Sequence, residues 1–388
     1  MKKGLRIALI LFFCGFLLVM DAFTVVGRNR DHSDLEKREL ASFPKVSVKR
    51  VLNGKFQKGF VSFVTDHFAF RDNWVEMKSL ADIGMGKKEV NGVYIGKDSY
   101  LIEKYDDNDF KDSQIKENVK YLSKFVNMAA ESMGAEHIRI ALVPGKEEVL
   151  SDYLPPFVER GTKQDYLLKK LDSKINDSDQ IVLDLTDELK KHQDEEIYYR
   201  TDHHWTTKGA SIGYEEIMKS LGREDEAKTD YDVESVTKDF YGTSYNKIHV
   251  KLKADSIEKY EIPEAEDVKV IIDDSGEESD GELFVEEALD GADKYEYFLG
   301  GNYSGVEIDT NRGTKKKDMK TLVLIKDSYS NCLVPFFTAN YDRIFMIDLR
   351  YANSSIFDKL EKIEKFDDIV FVYNKEKFMQ DGHQYYLS

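Results

Sequence analysis

Thr321-Leu322-Val323-Leu324-Ile325-Lys326-Asp327-Ser328-Tyr329-Ser330 is the stretch that decides the fold. Residues 321–325 form an apolar run of strand length, residues 326–330 a polar turn, and residues 331–337 the start of a helix. A strand this apolar belongs in a sheet covered on both faces, the usual setting of parallel strands in α/β proteins. Ligands and nucleophiles in such sheets gather beyond the carboxyl ends of the strands, where Ser328 stands. The context is that of a nucleophile elbow, although the Gly-x-Ser-x-Gly sequence is absent. At such a turn the hydroxyl projects, and N–H groups at the helix start face developing negative charge. Capping the helix is the other use for a serine at this junction.

The same rhythm recurs on either side. Residues 138–143 read as a strand ending in Pro144-Gly145-Lys146, and residues 163–175 as helical. Residues 181–185, 343–349 and 369–373 read as further strands. Together they predict one α/β domain over 111–388. Residues 223–318 break the rhythm, and a small, largely β insertion is expected at about 246–300. Its stretch 271–290 holds nine Asp or Glu and no basic residue. That run reads as a solvated face, since no Asp-x-Asp-x-Asp-Gly calcium loop is present. Upstream, residues 31–110 are expected to be a helical and hairpin region packed on this core. Phe56, Phe60, Phe63, Phe68 and Trp74 punctuate a helical pattern over 53–80, and Asp66 and Arg71 suit helix ends. Residues 91–102 alternate as a hairpin, and 113–133 form an amphipathic helix.

A serine hydroxyl needs an adjacent base, and the base needs an orienting carboxylate. Thr201-Asp202-His203-His204-Trp205-Thr206 supplies both groups in a chain with 8 His and 2 Trp. It lies between an approach strand or loop, 196–200, and a helix from Thr207. In an extended segment residues two apart face the same way, so Asp202 and His204 can act together. A zinc site is the competing use. Adjacent histidines point in different directions and no third His or Cys is close in sequence, so neither metal nor cofactor is expected.

With 56 Lys and Arg against 73 Asp and Glu, the formal charge is −17, which disfavours nucleic acid and anionic lipid as partners of the body. Apolar residues at 41% describe a folded chain, and two cysteines, Cys14 and Cys332, exclude a disulfide framework. Lys2, Lys3 and Arg6 precede an apolar run from Ile7 to Met20 that continues past Asp21 to Val26. Residues 1–30 therefore read as a signal anchor or signal peptide. The first places the chain in the cell membrane as a single-pass protein with its body outside. The second makes it a secreted protein after cleavage.

Asp202-His203-His204-Trp205 resembles the signature of the DHHW protein family, which is similar to the SGNH-hydrolase-like domain of the alginate O-acetylation proteins AlgX and AlgJ. The resemblance extends over roughly 30–385, through residues 36–44, 63–72, 91–93, 144–146, 241–243, 327–330 and 348–350. It implies a three-layer α/β sandwich with a central, mostly parallel sheet. It also implies a triad in which Ser328 carries an acetyl group, His204 is the base and Asp202 orients it. The implied activity is O-acetyl transfer to a hydroxyl of a cell-envelope polysaccharide, with an integral-membrane O-acyltransferase supplying the acetyl group. An O-acetyl esterase and a non-catalytic glycan-binding or scaffold protein are the alternatives. The chain departs from the SGNH pattern in carrying Lys326 where a glycine is usual, which puts the oxyanion donors in doubt. A Gly-x-Asn block is missing too, leaving Tyr245, Asn246 and Asn302 as candidates for that role.

Overall fold

The computed structural model describes residues 3–27, 31–33, 38–156, 158, 161–274, 276–315, 318–363 and 365–388. Of the charged linker that follows the apolar segment, residues 28–30 and 34–37 lie outside these. Two compact units are present: Met1–Asn91 with Tyr245–Lys251, and Gly92–Ser244 with Leu252–Ser388. The hairpin expected in the N-terminal region falls in the second unit.

In the first unit the apolar segment is a helix, α1 (Lys3–Gly27). Within it, Gly4–Thr24 is long and apolar enough to cross a membrane. The helical pattern after residue 47 is divided into α2 (Val48–Leu52), α3 (Lys55–Asp66) and α4 (Arg71–Gly84). The breaks fall at Gly54 and Phe70, both with positive φ. Phe43 packs edge-on against Phe56, Phe60 and Phe63 at 5.3–6.4 Å between centroids. Asp66 accepts the Ala41 N–H at 2.8 Å, a tether for backbone.

The second unit opens with a hairpin of β1 (Val93–Ile95) and β2 (Leu101–Glu103), followed by the amphipathic helix α5 (Asp112–Met133). The strands that follow are β3 (Ile138–Val143), β4 (Val182–Asp184), β5 (Val233–Phe240), β6 (Asp255–Tyr260), β7 (Lys269–Asp274), β8 (Glu277–Gly281), β9 (Gly305–Asp309), β10 (Thr321–Lys326), β11 (Arg343–Ile347) and β12 (Asp368–Asn374). Eight of them form one sheet in the order β8-β7-β9-β11-β10-β12-β3-β4. The five from β11 to β4 run parallel, and β9, β7 and β8 extend the edge antiparallel.

Alternation explains why the middle strands are buried throughout. Leu322 and Leu324 of β10 join one apolar cluster with Val370 and Val372 of β12. Val323 and Ile325 join another with Ile369 and Phe371. Each face is thus covered, and α5 contributes Ile115, Val119, Leu122 and Phe125 to the second cluster. The stretch read as a β-rich insertion does hold strands, but β7 and β8 are members of the main sheet. β5 and β6 pair apart from it, as a bulged antiparallel ribbon. The acidic run of 271–290 lies at the sheet's far edge, with residues 277–280 exposed.

This topology positions the site. From β10 the chain goes to one neighbour, β11, and then crosses to the other, β12. The carboxyl end of β10 therefore lies where the connections diverge, leaving room above it. The helix α6 (Thr207–Ser220) approaches the chain before it through two glycines. A Cβ on Gly209 would come within 2.3 Å of the Ile197 carbonyl oxygen, and one on Gly213 within 2.8 Å of the Trp205 ring. Because the first obstacle is backbone, Gly209→Ala should destabilise the fold by about 1–3 kcal/mol in denaturant titration. An unchanged midpoint would show that α6 can shift without cost.

Candidate active site

The loop that carries Asp202 is pinned from below. Asp255, buried on β6, accepts the N–H groups of Arg200 and Thr201 at 2.6 and 2.7 Å and the Thr201 hydroxyl at 2.6 Å. Asp202 and His204 do not meet through strand alternation, as expected above, because residues 201–204 are a series of bends. Asp202 Oδ1 accepts both the His204 N–H at 2.9 Å and the His204 ring Nδ1–H at 2.5 Å. A short side chain that bonds the backbone two residues on makes such a turn by itself. Its Oδ2 accepts the Thr243 N–H at 2.7 Å and the Thr243 hydroxyl at 3.0 Å. Close approach here requires Gly242, where a Cβ would lie 2.2 Å from Asp202 Oδ2.

His204 Nε2 lies 2.7 Å from Ser328 Oγ. A carboxylate only accepts, so the imidazole proton is on Nδ1, and Nε2 offers its lone pair to the serine hydroxyl. The structure thus brings all three expected residues, Asp202, His204 and Ser328, into one hydrogen-bonded line. Asp202 and His204 are buried and Ser328 is half-buried.

Ser328 is held by the turn itself. Asp327 accepts the Tyr329 N–H at 2.9 Å and the Asn374 N–H from the end of β12 at 2.7 Å. Burial, opposed by Arg350 and these two bonds, holds its carboxyl above the usual range. The helix expected from residue 331 is shorter, a 3₁₀ turn at Ser328–Ser330 and then Val334–Phe337. The N–H groups of Tyr329, Ser330 and Asn331 are bonded to Asp327 Oδ1, Asp327 O and Ser328 O. These three helix-start donors are therefore spent on the turn and do not face an oxyanion.

One neighbour was not foreseen from the sequence. Tyr295 stacks on the His204 ring with centroids 4.0 Å apart and planes 6° apart, and its hydroxyl donates to Ser328 O at 3.0 Å. Burial pushes its phenol well above the usual range, so it stays neutral. Trp205 braces the serine turn, its Nε1–H donating to Tyr329 O at 2.9 Å. A tyrosine 33 residues before the serine, in a single 3₁₀ turn, carries no pattern that sequence reasoning could use.

His203 lies with its ring centroid 3.8 Å from that of His204, and its Nδ1 is 2.6 Å from the Thr243 hydroxyl. The hydroxyl gives its proton to Asp202, so it accepts from His203 Nδ1–H. Burial holds His203 well below its ordinary value, and it is neutral at pH 7. Asp202, His203 and His204 offer ligand atoms within 4.8 Å of one another. The hydrogen bonds just described already occupy Asp202, both nitrogens of His204 and Nδ1 of His203.

Lys326, in the position usually glycine, is buried. Its ammonium donates to Asn302 Oδ1 and Asn331 Oδ1, both at 2.8 Å, and lies 3.5 Å from Asp348 Oδ2. Asp348 is held in turn by Arg350 through two bonds of 2.9 and 2.6 Å. The Asn302 carboxamide oxygen is thereby taken up by Lys326. Tyr245 and Asn246, the other candidate donors, belong to the first unit.

The sequence profile of the DHHW protein family matches residues 89–347, and the chain belongs to that family. It is 24% identical over 228 residues to the probable alginate O-acetylase AlgJ of Pseudomonas syringae pv. tomato, covering 58% of this chain and 54% of the relative. It is 23% identical over 230 residues to the probable alginate O-acetylase AlgJ of Pseudomonas fluorescens, covering 57% and 53%. The chain thus spans about half the length of these two relatives. A DHHW family protein from Eubacterium siraeum superposes with a TM-score of 0.59 at 21% identity, over 77% of this chain and 95% of that one. Bacillus cereus PatB1, solved with a sulfonyl adduct, superposes at 0.60 and 19% identity, over 76% and 98%. The fold is therefore the α/β fold of these proteins.

Burial lowers Lys326 from its ordinary 10.5 to about 8, with Asp348 opposing the change. Between these values the folded chain has released a proton that the unfolded chain still binds. Stability from this group therefore rises with pH across that window. Denaturant titrations from pH 8 to 10 should show a more positive slope for the wild type than for Lys326→Met. Equal slopes would mean that Lys326 titrates normally.

Proposed function

We propose that the chain is a membrane-anchored serine O-acetyltransferase acting outside the cytoplasm on hydroxyls of an envelope polysaccharide. The observation that carries this is the unbroken line from Asp202 Oδ1 through the His204 imidazole to Ser328 Oγ, at 2.5 and 2.7 Å. As the Ser328 hydroxyl attacks an acetyl carbonyl carbon, its proton passes to His204 Nε2, and Asp202 stabilises the imidazolium that forms. The proton then goes to the departing group, leaving an acetyl ester on Ser328. In the second half His204 takes the proton of a sugar hydroxyl, whose oxygen attacks that ester. The bond from the acyl carbon to Ser328 Oγ breaks, Oγ takes the proton from His204 Nε2, and the acetyl leaves on the sugar. Water in place of the sugar makes the same machinery an O-acetyl esterase. The Ser328 N–H has no acceptor among the described residues and is our choice of oxyanion donor.

Family membership and the likeness to proteins named alginate O-acetylases support this chemistry. The apolar helix α1, preceded by lysines, supports an anchor with the body outside, and an integral-membrane O-acyltransferase is the proposed acetyl source. A processed N-terminus on a soluble product in fractionation would replace the anchor with a cleaved signal.

The full-length chain should release acetate from p-nitrophenyl acetate, and Ser328→Ala should abolish the release. Equal rates for the two proteins would end the covalent mechanism. A sulfonyl fluoride should label Ser328, as shown by peptide mass. For Asp202→Asn the rate should fall by up to roughly 10⁴-fold with the melting transition retained. Unchanged turnover would remove Asp202 from the relay.

A further inference from the structure

Exposed apolar side chains are distributed unevenly over the chain. Among the described residues outside α1, thirteen large ones lie between Phe43 and Met85, against four in the whole second unit. Scattered exposure is ordinary, but a concentration of this kind marks a surface that something covers. Its densest part follows one side of α4. Phe70, Trp74, Met77, Leu80 and Met85 recur there at helical spacing, and all are exposed. The opposite side buries Ser79 and Asp82, and Asp82 holds Lys78 at 3.1 Å and Lys87 at 2.8 Å. A helix on a water-facing surface has the reverse arrangement, with its polar side out. Turned this way, α4 suits contact with hydrocarbon.

The start of α4 is tied to α1 where the apolar stretch Gly4–Thr24 ends. The Thr24 hydroxyl accepts the Ala69 N–H at 3.1 Å and donates to Met20 O at 2.9 Å. Phe23 meets Phe70 edge-on with centroids 5.4 Å apart. Trp74 turns its Nε1–H back to Ala69 O at 3.1 Å, which keeps its ring at the same junction. Tryptophan is enriched at the depth where a membrane helix leaves the hydrocarbon. Lys78 and Asp82 keep α4 itself from entering the bilayer core, so it lies along the boundary. Charge agrees with this placement. Over 45–88, nine Lys or Arg stand against four Asp or Glu, in a chain whose formal charge is −17. This segment attracts lipid phosphate, which the rest of the chain repels.

We infer that α4 is an interfacial helix docked on the outer leaflet of the membrane that α1 spans. Its apolar side sinks to the boundary between headgroups and acyl chains, and the lysines and arginines of 45–88 sit among lipid phosphates. The occupant of the exposed face is therefore lipid. The inference rests on the reading of α1 as an anchor. The first unit then has two attachments to the bilayer, one running across it and one lying along it.

Tryptophan fluorescence tests this directly, because the chain has 2 Trp and the other, Trp205, is fully buried. The full-length chain is reconstituted in vesicles of phosphatidylcholine and phosphatidylglycerol, with and without bromine on the acyl carbons nearest the headgroup. Brominated lipid should lower the wild-type emission by roughly a third to a half, since Trp74 alone reaches that depth. Trp74→Phe should lose less than about a tenth, and Met77→Glu with Leu80→Glu should cut the wild-type loss by about threefold or more. All of these side chains are exposed, and an unchanged melting transition checks that the variants fold. Emission that ignores bromine, or quenching that persists in Trp74→Phe, would overturn the docking of α4. Carbonate extraction of membranes from expressing cells reads the anchor separately. Retention in the membrane without quenching would remove only the interfacial helix. Release with quenching would remove the anchor and leave α4 on the lipid, and release without quenching would remove both.

Discussion

Everything at the site depends on a hydrogen bond between groups 124 residues apart, the contact of His204 Nε2 with Ser328 Oγ. Neither partner is positioned by its own segment alone. Ser328 is fixed because β10 is buried on both faces and cannot slide, and because Asp327 ties the turn to the end of β12. His204 is fixed because Asp255 anchors the loop before it and Gly209 and Gly213 let α6 press on the chain around it. Trp205 and Tyr329 then join the two halves directly, the indole donating to the Tyr329 carbonyl and the phenol to the His203 carbonyl. The line from Asp202 to Ser328 is held by at least three connections besides its own bonds, so its geometry is fixed before any ligand arrives.

Polar groups are buried here at a density that a plain core would not tolerate. Asp202, Asp255, Lys326, Asp327 and Asp348 are all nearly inaccessible. Each has a geometric answer in the surrounding backbone or in a partner of opposite charge. The substitution of lysine for the usual glycine before the Asp-Ser pair is accommodated by this logic. Its ammonium finds Asn302, Asn331 and Asp348 below the serine turn, so the departure is absorbed locally.

The strands of the core and the three relay residues were legible in the sequence because they obey local rules. Residues 321–325 and 369–373 are too apolar to be anything but interior, and Asp202-His203-His204-Trp205 is too costly as filler. What escaped was set by tertiary context. Strands β7 and β8 have an acidic composition that reads as an insertion, yet backbone pairing with β9 recruits β7 to the sheet. Backbone ladders carry no side-chain signature, so an edge added antiparallel is hard to see in advance. The same holds for Tyr295, whose stack on His204 depends on where a loop returns, and for the bend at 201–204, which replaced an assumed extended segment.

The separation of the two halves along the chain also governs when the site is assembled. His204 and Asp202 are made well before the serine, and β10 must be inserted between β11 and β12, both later still, before Ser328 can face His204. The three residues meet only after the last central strand has docked, so their hydrogen-bonded line is a product of the completed sheet.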